Sequence, residues 1–179
     1  MQFTTRYSII LNMPYGKHSG EFIPRLLFTA PHYIRWYLEN VDESSNVRCS
    51  MEYFIQRFDK LPFKAVKCHG GKGNCRRSVT YLAFPKDHCA EPEYYCDECC
   101  PQSNALIVVG NYRDALDAVK RYYNEDIILY NRVVDRLLKA KGFSGKRTYE
   151  SIIVFLGLEY EDCFHIFANE QATKSKSVV

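Results

Sequence analysis

Six of the eight cysteines in this chain, Cys68, Cys75, Cys89, Cys96, Cys99 and Cys100, fall within 33 residues, a crowding that points to metal chemistry. Cys96-Asp97-Glu98-Cys99 is a C-x2-C knuckle, in which two intervening residues let one tight turn direct both thiolates at the same tetrahedral ion. Cys68 and Cys75 are its natural complement. They enclose Gly70, Gly71 and Gly73, which let the backbone curl around an ion, and the 20 residues between Cys75 and Cys96 match a zinc-ribbon spacing. Their own gap of six is wider than the usual two to four. The expected ligands are therefore Cys68, Cys75, Cys96 and Cys99 around Zn, with three alternatives: Cys100 for Cys99, His69 for Cys68, or Cys89 beside His88 in another site. Four thiolates leave no open position for water, so this centre is expected to be structural and not catalytic. Cys49 and Cys163 stand apart and read as buried apolar thiols.

Charge is distributed unevenly around these cysteines. Eight basic residues (Arg57, Lys60, Lys64, Lys67, Lys72, Arg76, Arg77 and Lys86) face one acid, Asp59, between positions 57 and 86, whereas positions 87 to 98 hold five acids and no Lys or Arg. Such a stripe fits a phosphate backbone, a solvated face, or the balancing of a four-thiolate centre whose net charge is about −2. A second chemical signal is "MPYGKHSGEF" at residues 13 to 22. It is not a Walker A loop, because its Lys follows the first Gly directly and a Phe-Ile-Pro segment stands where the helix should start.

The elements that position these groups follow from periodicity. "SVTYLAF" and "ALIVVGNY" are β-type runs flanking the two halves of the cysteine cluster, as a ribbon requires. "YSIILNMPYG" and "GEFIPRLLF" read as short strands around a Gly-bounded turn, with Lys17 at its tip. "TAPHYIRWYLENV" follows as a helix capped by Thr29 with Pro31 early in it, then "SMEYFIQRFDKL" as a helix capped by Ser50. From Asn111 to Gly142, Tyr112, Leu116, Val119, Tyr123, Ile127, Tyr130, Val134 and Leu137 recur at three- and four-residue steps, giving one long helix or two broken near Asn124. Thr148 can cap a further helix, although the apolar run Ile152 to Leu156 also fits a strand. His165 reads as a structural residue between Phe164 and Ile166.

The pattern Met13-Pro14-Tyr15-Gly16-Lys17-His18-x-Gly20, followed by Pro31-x-Tyr33-Ile34-x-Trp36 and Leu38, resembles the small C-terminal module of exodeoxyribonuclease X-like proteins. The resemblance covers roughly residues 9 to 41. It implies an association with DNA processing and not a nuclease activity, since the chain lacks a domain carrying the several acidic metal ligands such an enzyme needs. Ser19 stands where proteins of that kind often have a second lysine.

At 179 residues and 46% hydrophobic, the chain can bury one ordinary core, and 15% aromatic content argues against disorder. Net charge of +3 permits an anionic partner without demanding one. No run approaches the roughly 18 apolar residues of a membrane span, and the first residues lack a signal-type apolar core, so a cytoplasmic protein with no membrane partner is expected. The expected architecture is α+β: an N-terminal β-turn-β-helix module with aromatic helices (1–62), a four-cysteine zinc ribbon (63–110), a helical part on the same core (111–170) and a disordered tail (171–179). The expected function is non-enzymatic binding of nucleic acid, as an accessory to replication, repair or a phage-type process, alongside a DNA-processing protein. Tyr15, Lys17, His18, Arg35, Trp36, Lys64, Lys67, Lys72, Arg76 and Arg77 are the expected contacts. A protein-interaction adaptor is the second reading. A metal-assisted hydrolase is the third, and would need zinc with three protein ligands.

Overall fold

The computed structural model describes residues 9–64, 67–70, 75–86 and 91–158. Among these residues, six helices and a three-stranded antiparallel sheet make a mixed α+β architecture in the order α1 (Ile23–Thr29), α2 (Pro31–Asn40), α3 (Asn46–Asp59), β1 (Tyr81–Pro85), β2 (Glu93–Tyr95), β3 (Leu106–Val109), α4 (Tyr112–Tyr122), α5 (Ile127–Ala140) and α6 (Tyr149–Leu156).

Near the N-terminus, among the described residues, the expected pair of strands shrinks to one bridge, Asn12 to Phe22, and the second run becomes α1. Pro24 is the reason: it has no N–H to offer a ladder, yet its fixed φ suits the first turn of a helix. Helical spacing then buries Ile23, Leu26 and Leu27 completely. The turn itself is as expected. Gly16 (φ 83°) and Gly20 (φ 81°) occupy the left-handed region, and Met13 N–H donates to the Glu21 carbonyl at 2.9 Å while Gly20 N–H donates to that of Met13 at 2.8 Å.

Two expected caps sit elsewhere. Thr29 is the last residue of α1, where its hydroxyl donates back to the Arg25 carbonyl, and Pro31 opens α2 after Ala30. Ser45, not Ser50, precedes α3. Fully buried Ser50 instead accepts from Ile10 N–H at 2.8 Å and donates to the Asn46 carbonyl at 2.7 Å, pinning the start of the described chain onto α3. A polar group at that depth needs both bonds.

The long C-terminal periodicity resolves into two helices. Asn111 caps α4 by accepting from Asp114 N–H, Asp126 caps α5 by accepting from Ile128 and Leu129 N–H, and Asn124 and Glu125 take positive φ between them. That break re-phases the helix, so Ile127 leaves the apolar stripe and is 53% exposed. Thr148 caps α6 through Ser151 N–H, and Gly157 ends it in the left-handed conformation, which settles Ile152 to Leu156 as helix. The expected tail, Cys163 and His165 lie outside the described residues.

One apolar cluster runs from Leu11 on the N-terminal segment to Leu156 on α6 and takes in Leu82, Phe84, Ile107 and Val109 from the sheet. Buried Tyr112 ties it together, its hydroxyl donating to the Leu27 carbonyl at 2.6 Å. The sheet order is β2-β1-β3, with Leu82 opposite Val109, Phe84 opposite Ile107 and Tyr81 opposite Tyr95. Its other end rests on a separate small cluster, Cys68, Val79 and Cys96. Among the described residues no helix is long and apolar enough to cross a membrane.

Candidate metal centre and aromatic cleft

The β1–β2 hairpin brings the two cysteine pairs together. Cys96 follows β2 directly, and the segment holding Cys68 is tied beside it by a hydrogen bond from His69 N–H to the Tyr94 carbonyl at 2.7 Å. The Cys96 to Cys99 turn closes with Cys99 N–H on the Cys96 carbonyl at 3.1 Å. As a result the sulfurs of Cys68, Cys75, Cys96 and Cys99 all lie within 4.8 Å of one another. A tetrahedral ion with metal–sulfur bonds of about 2.3 Å requires sulfurs about 3.8 Å apart, and Cys75 Sγ and Cys96 Sγ are 3.8 Å apart. The four residues can therefore hold a metal ion. Cys68 Sγ also accepts from the N–H groups of Gly70 and Cys96, both at 3.4 Å, bonds that orient a thiolate and lower its charge.

Gly70 earns its place by proximity: a Cβ there would collide with the Cβ and Sγ of Cys99. Neither Cys100 nor His69 joins the cluster; the His69 ring packs edge-on to Tyr94 and Tyr95 instead. Cys89, His88, Gly71 and Gly73 lie outside the described residues. The Cys96 thiol is lowered to about 7: burial opposes this, and hydrogen bonds from the Cys99 backbone and the neighbouring thiols prevail. Cys99 is pushed up to about 12, chiefly by its hydrogen bond to Cys96, since closely packed thiols resist ionising together.

The basic stripe divides. Arg77 pairs with Glu98 at 2.7 Å, and Glu98 first, then the Cys96 and Cys75 sulfurs, hold its guanidinium above its usual range. It is 55% exposed and sits beside the cysteine cluster, already paired with an acid. Lys64, Lys67 and Arg76 are exposed, with the stem of Lys64 laid over Gly142. Lys72 lies outside the described residues.

At the turn, the two halves of the sequence pattern meet. Tyr15, Gly16 and Lys17 from the turn and Tyr33, Trp36, Tyr37 and Val41 from α2 and its end line one open cleft of about 450 Å³. Tyr15 is 56% and Trp36 54% exposed, an unusual state for large rings. Below them Tyr33 stacks on Trp36, their rings 6.1 Å apart and 22° from parallel, and the Tyr15 and Tyr37 hydroxyls meet at 3.0 Å. Lys17 is exposed and forms no ion pair among the described residues.

Two expected contacts are not free here. Arg35, 6% exposed, points the opposite way from its neighbour Trp36: it pairs with Glu39 and donates to the Tyr130 hydroxyl at 2.8 Å, joining α2 to α5. His18 is not a free surface cation, since its ring lies 4.5 Å from that of Tyr33 and its Nδ1 is 2.8 Å from Glu21. Sequence reasoning missed Tyr33, Tyr37 and Val41 as cleft walls. The four-residue steps Tyr33 to Tyr37 and His32 to Trp36 were the available signal, each pair sharing a helix face.

A larger cleft of about 630 Å³ lies between the end of α3, the sheet and the start of α4, with Asp59, Asp97, Asp114 and Lys141 in its lining. These four groups are already engaged. Asp59 accepts from Tyr112 N–H, Asp97 from Thr80, and Asp114 from Gly110 N–H, while buried Lys141 donates to the Asp59 and Leu61 carbonyls. Burial raises the Asp59 carboxyl and lowers the Lys141 ammonium, but both hold the fold together. Compared with known proteins, the chain matches no family model, no curated protein and no solved structure.

Proposed function

We propose that this protein is a zinc-stabilised, non-enzymatic nucleic-acid-binding accessory protein serving DNA processing. The observation that carries the reading is the convergence of Tyr15, Lys17 and Trp36 on one open cleft: two exposed rings able to stack on bases beside a cation for the backbone. The all-sulfur donor set fits zinc, and the three strands around it fit a zinc ribbon. Zinc bound by four thiolates would lock the hairpin and supply no reactive water. The resemblance of residues 9 to 41 to exodeoxyribonuclease X-like modules supports the DNA-processing context, and exposed Lys64, Lys67 and Arg76 add positive surface.

Titration of labelled oligonucleotides at several salt concentrations tests the reading. Affinity should fall steeply as salt rises, and Lys17→Ala should reduce the slope of log K against log salt by about 1. No binding even at low salt would overturn it in favour of an adaptor that docks through the ribbon and the aromatic helices. Elemental analysis should give about one zinc per chain, while iron in its place would correct the metal and leave the fold argument standing.

A further inference from the structure

The cleft is small, apolar and walled on several sides by rings, whereas Lys17 is the cation among its lining residues. A volume of about 450 Å³ lies within the range of about 300–1,000 Å³ typical of pockets for single small groups. Stacked, paired bases in a duplex offer no free face to such rings, while an unpaired base does. A cationic guest of the kind aromatic cages hold is disfavoured, because Lys17 would repel it.

Beside Lys17 lie two further nitrogens in need of a partner. His18 Nε2 and His32 Nδ1 are both covered and make no hydrogen bond. His18 packs on Tyr33, and His32 sits one helical turn before Trp36 on α2. Burial, then the nearby charges of Lys17 and His18, lower the His32 imidazole. Glu21 holds the other His18 nitrogen. An anionic oxygen on this side would meet the Lys17 ammonium.

We infer that the cleft takes a single unpaired nucleotide, its base against Tyr15, Tyr33 and Trp36 and its phosphate at Lys17 on the side of His18 and His32, so that the protein prefers single strands to duplex. This rests on the nucleic-acid reading above and narrows it. Trp36 is the sole tryptophan of the chain, so its emission reports the stack directly.

The test titrates the intact, metal-loaded protein with a thymidine oligomer, with a duplex of mixed sequence and with phosphotyrosine. Expected are quenching of Trp36 by the oligomer, weaker binding of the duplex, and a loss of about tenfold in single-strand affinity for Tyr15→Ala and for Trp36→Ala, with Trp36→Phe close to wild type. Both residues are exposed, so these variants should keep the fold, and unchanged circular dichroism would verify it. Duplex binding as tight as single-strand binding, with no quenching, overturns the single-nucleotide site and leaves nucleic-acid binding intact. Quenching by phosphotyrosine but not by the oligomer overturns it in favour of a phosphopeptide. Absence of binding to either nucleic acid at low salt overturns both readings.

Discussion

Around the cysteine cluster the buried apolar residues are Cys68, Val79 and Cys96, whereas the aromatic cleft stands on α2, whose inner residues Ile34, Tyr37 and Leu38 belong to the main core. In the first region side-chain positions depend on bonds between neighbours: four sulfurs, two N–H groups on Cys68 and a tight turn. In the second they depend on distant packing, since α2 is held by Arg35 reaching Tyr130 on α5. If the four sulfurs hold a metal as proposed, a metal-dependent locality sits beside a packing-dependent one, and each should fail without the other.

Removing the metal is the strongest way to break that division. Cys96→Ser, or a strong chelator on the wild type, should abolish metal binding and lower the melting temperature by on the order of 10 °C, as a loss of several kcal/mol does in a chain of this size. Amide exchange should accelerate around Cys68, Cys96 and the β1–β2 hairpin while Trp36 emission stays unchanged. Acid should act likewise: the ligands must be deprotonated, so metal release should rise as pH falls. Retained hairpin protection in the metal-free protein would refute this.

Phe58→Ala is the converse. Phe58 is fully buried against Phe28 and Tyr112, so truncation should cost about 3–5 kcal/mol in denaturant unfolding with metal stoichiometry unchanged. A smaller effect separates two neighbours on α2. Arg35→Met should cost about 2 kcal/mol by stranding the buried Tyr130 hydroxyl, exposed Glu39 keeping Lys120, whereas Trp36→Ala should stay within about 0.5 kcal/mol and act on binding alone. Equal stability losses would show that the cleft is core and not a site. Gly70→Ala adds a methyl that collides with the Cβ and Sγ of Cys99 and should weaken metal affinity by about tenfold in a chelator competition, with little effect on Trp36.

The cysteine cluster was legible because knuckle spacing is a short-range constraint, and the break at Asn124 because turn and cap residues mark it locally. Pro24 marked α1 in the same way, but the segment was read as a short β-type run beside a Gly-bounded turn. The β2 strand was harder to see, since "EYY" is three residues long and is defined by Tyr95 meeting Tyr81, not by any pattern of its own. The caps failed for a related reason: Ser50 is polar enough to start a helix, yet Ile10 offered it a better-placed donor from outside that helix.

By itself the sequence determined the mixed α+β character, the Gly16 to Gly20 turn and the cysteines able to converge, because each depends on residue type and on spacing within a few turns of chain. Only the tertiary structure decided which of the adjacent pair Arg35 and Trp36 would face inward, and that residues 15 to 17 would share a cleft with residues 33 to 41. The physical reason is that burial belongs to the neighbours: Tyr130 on α5 takes Arg35 into the core, and Trp36, with no helix above it among the described residues, is left 54% exposed.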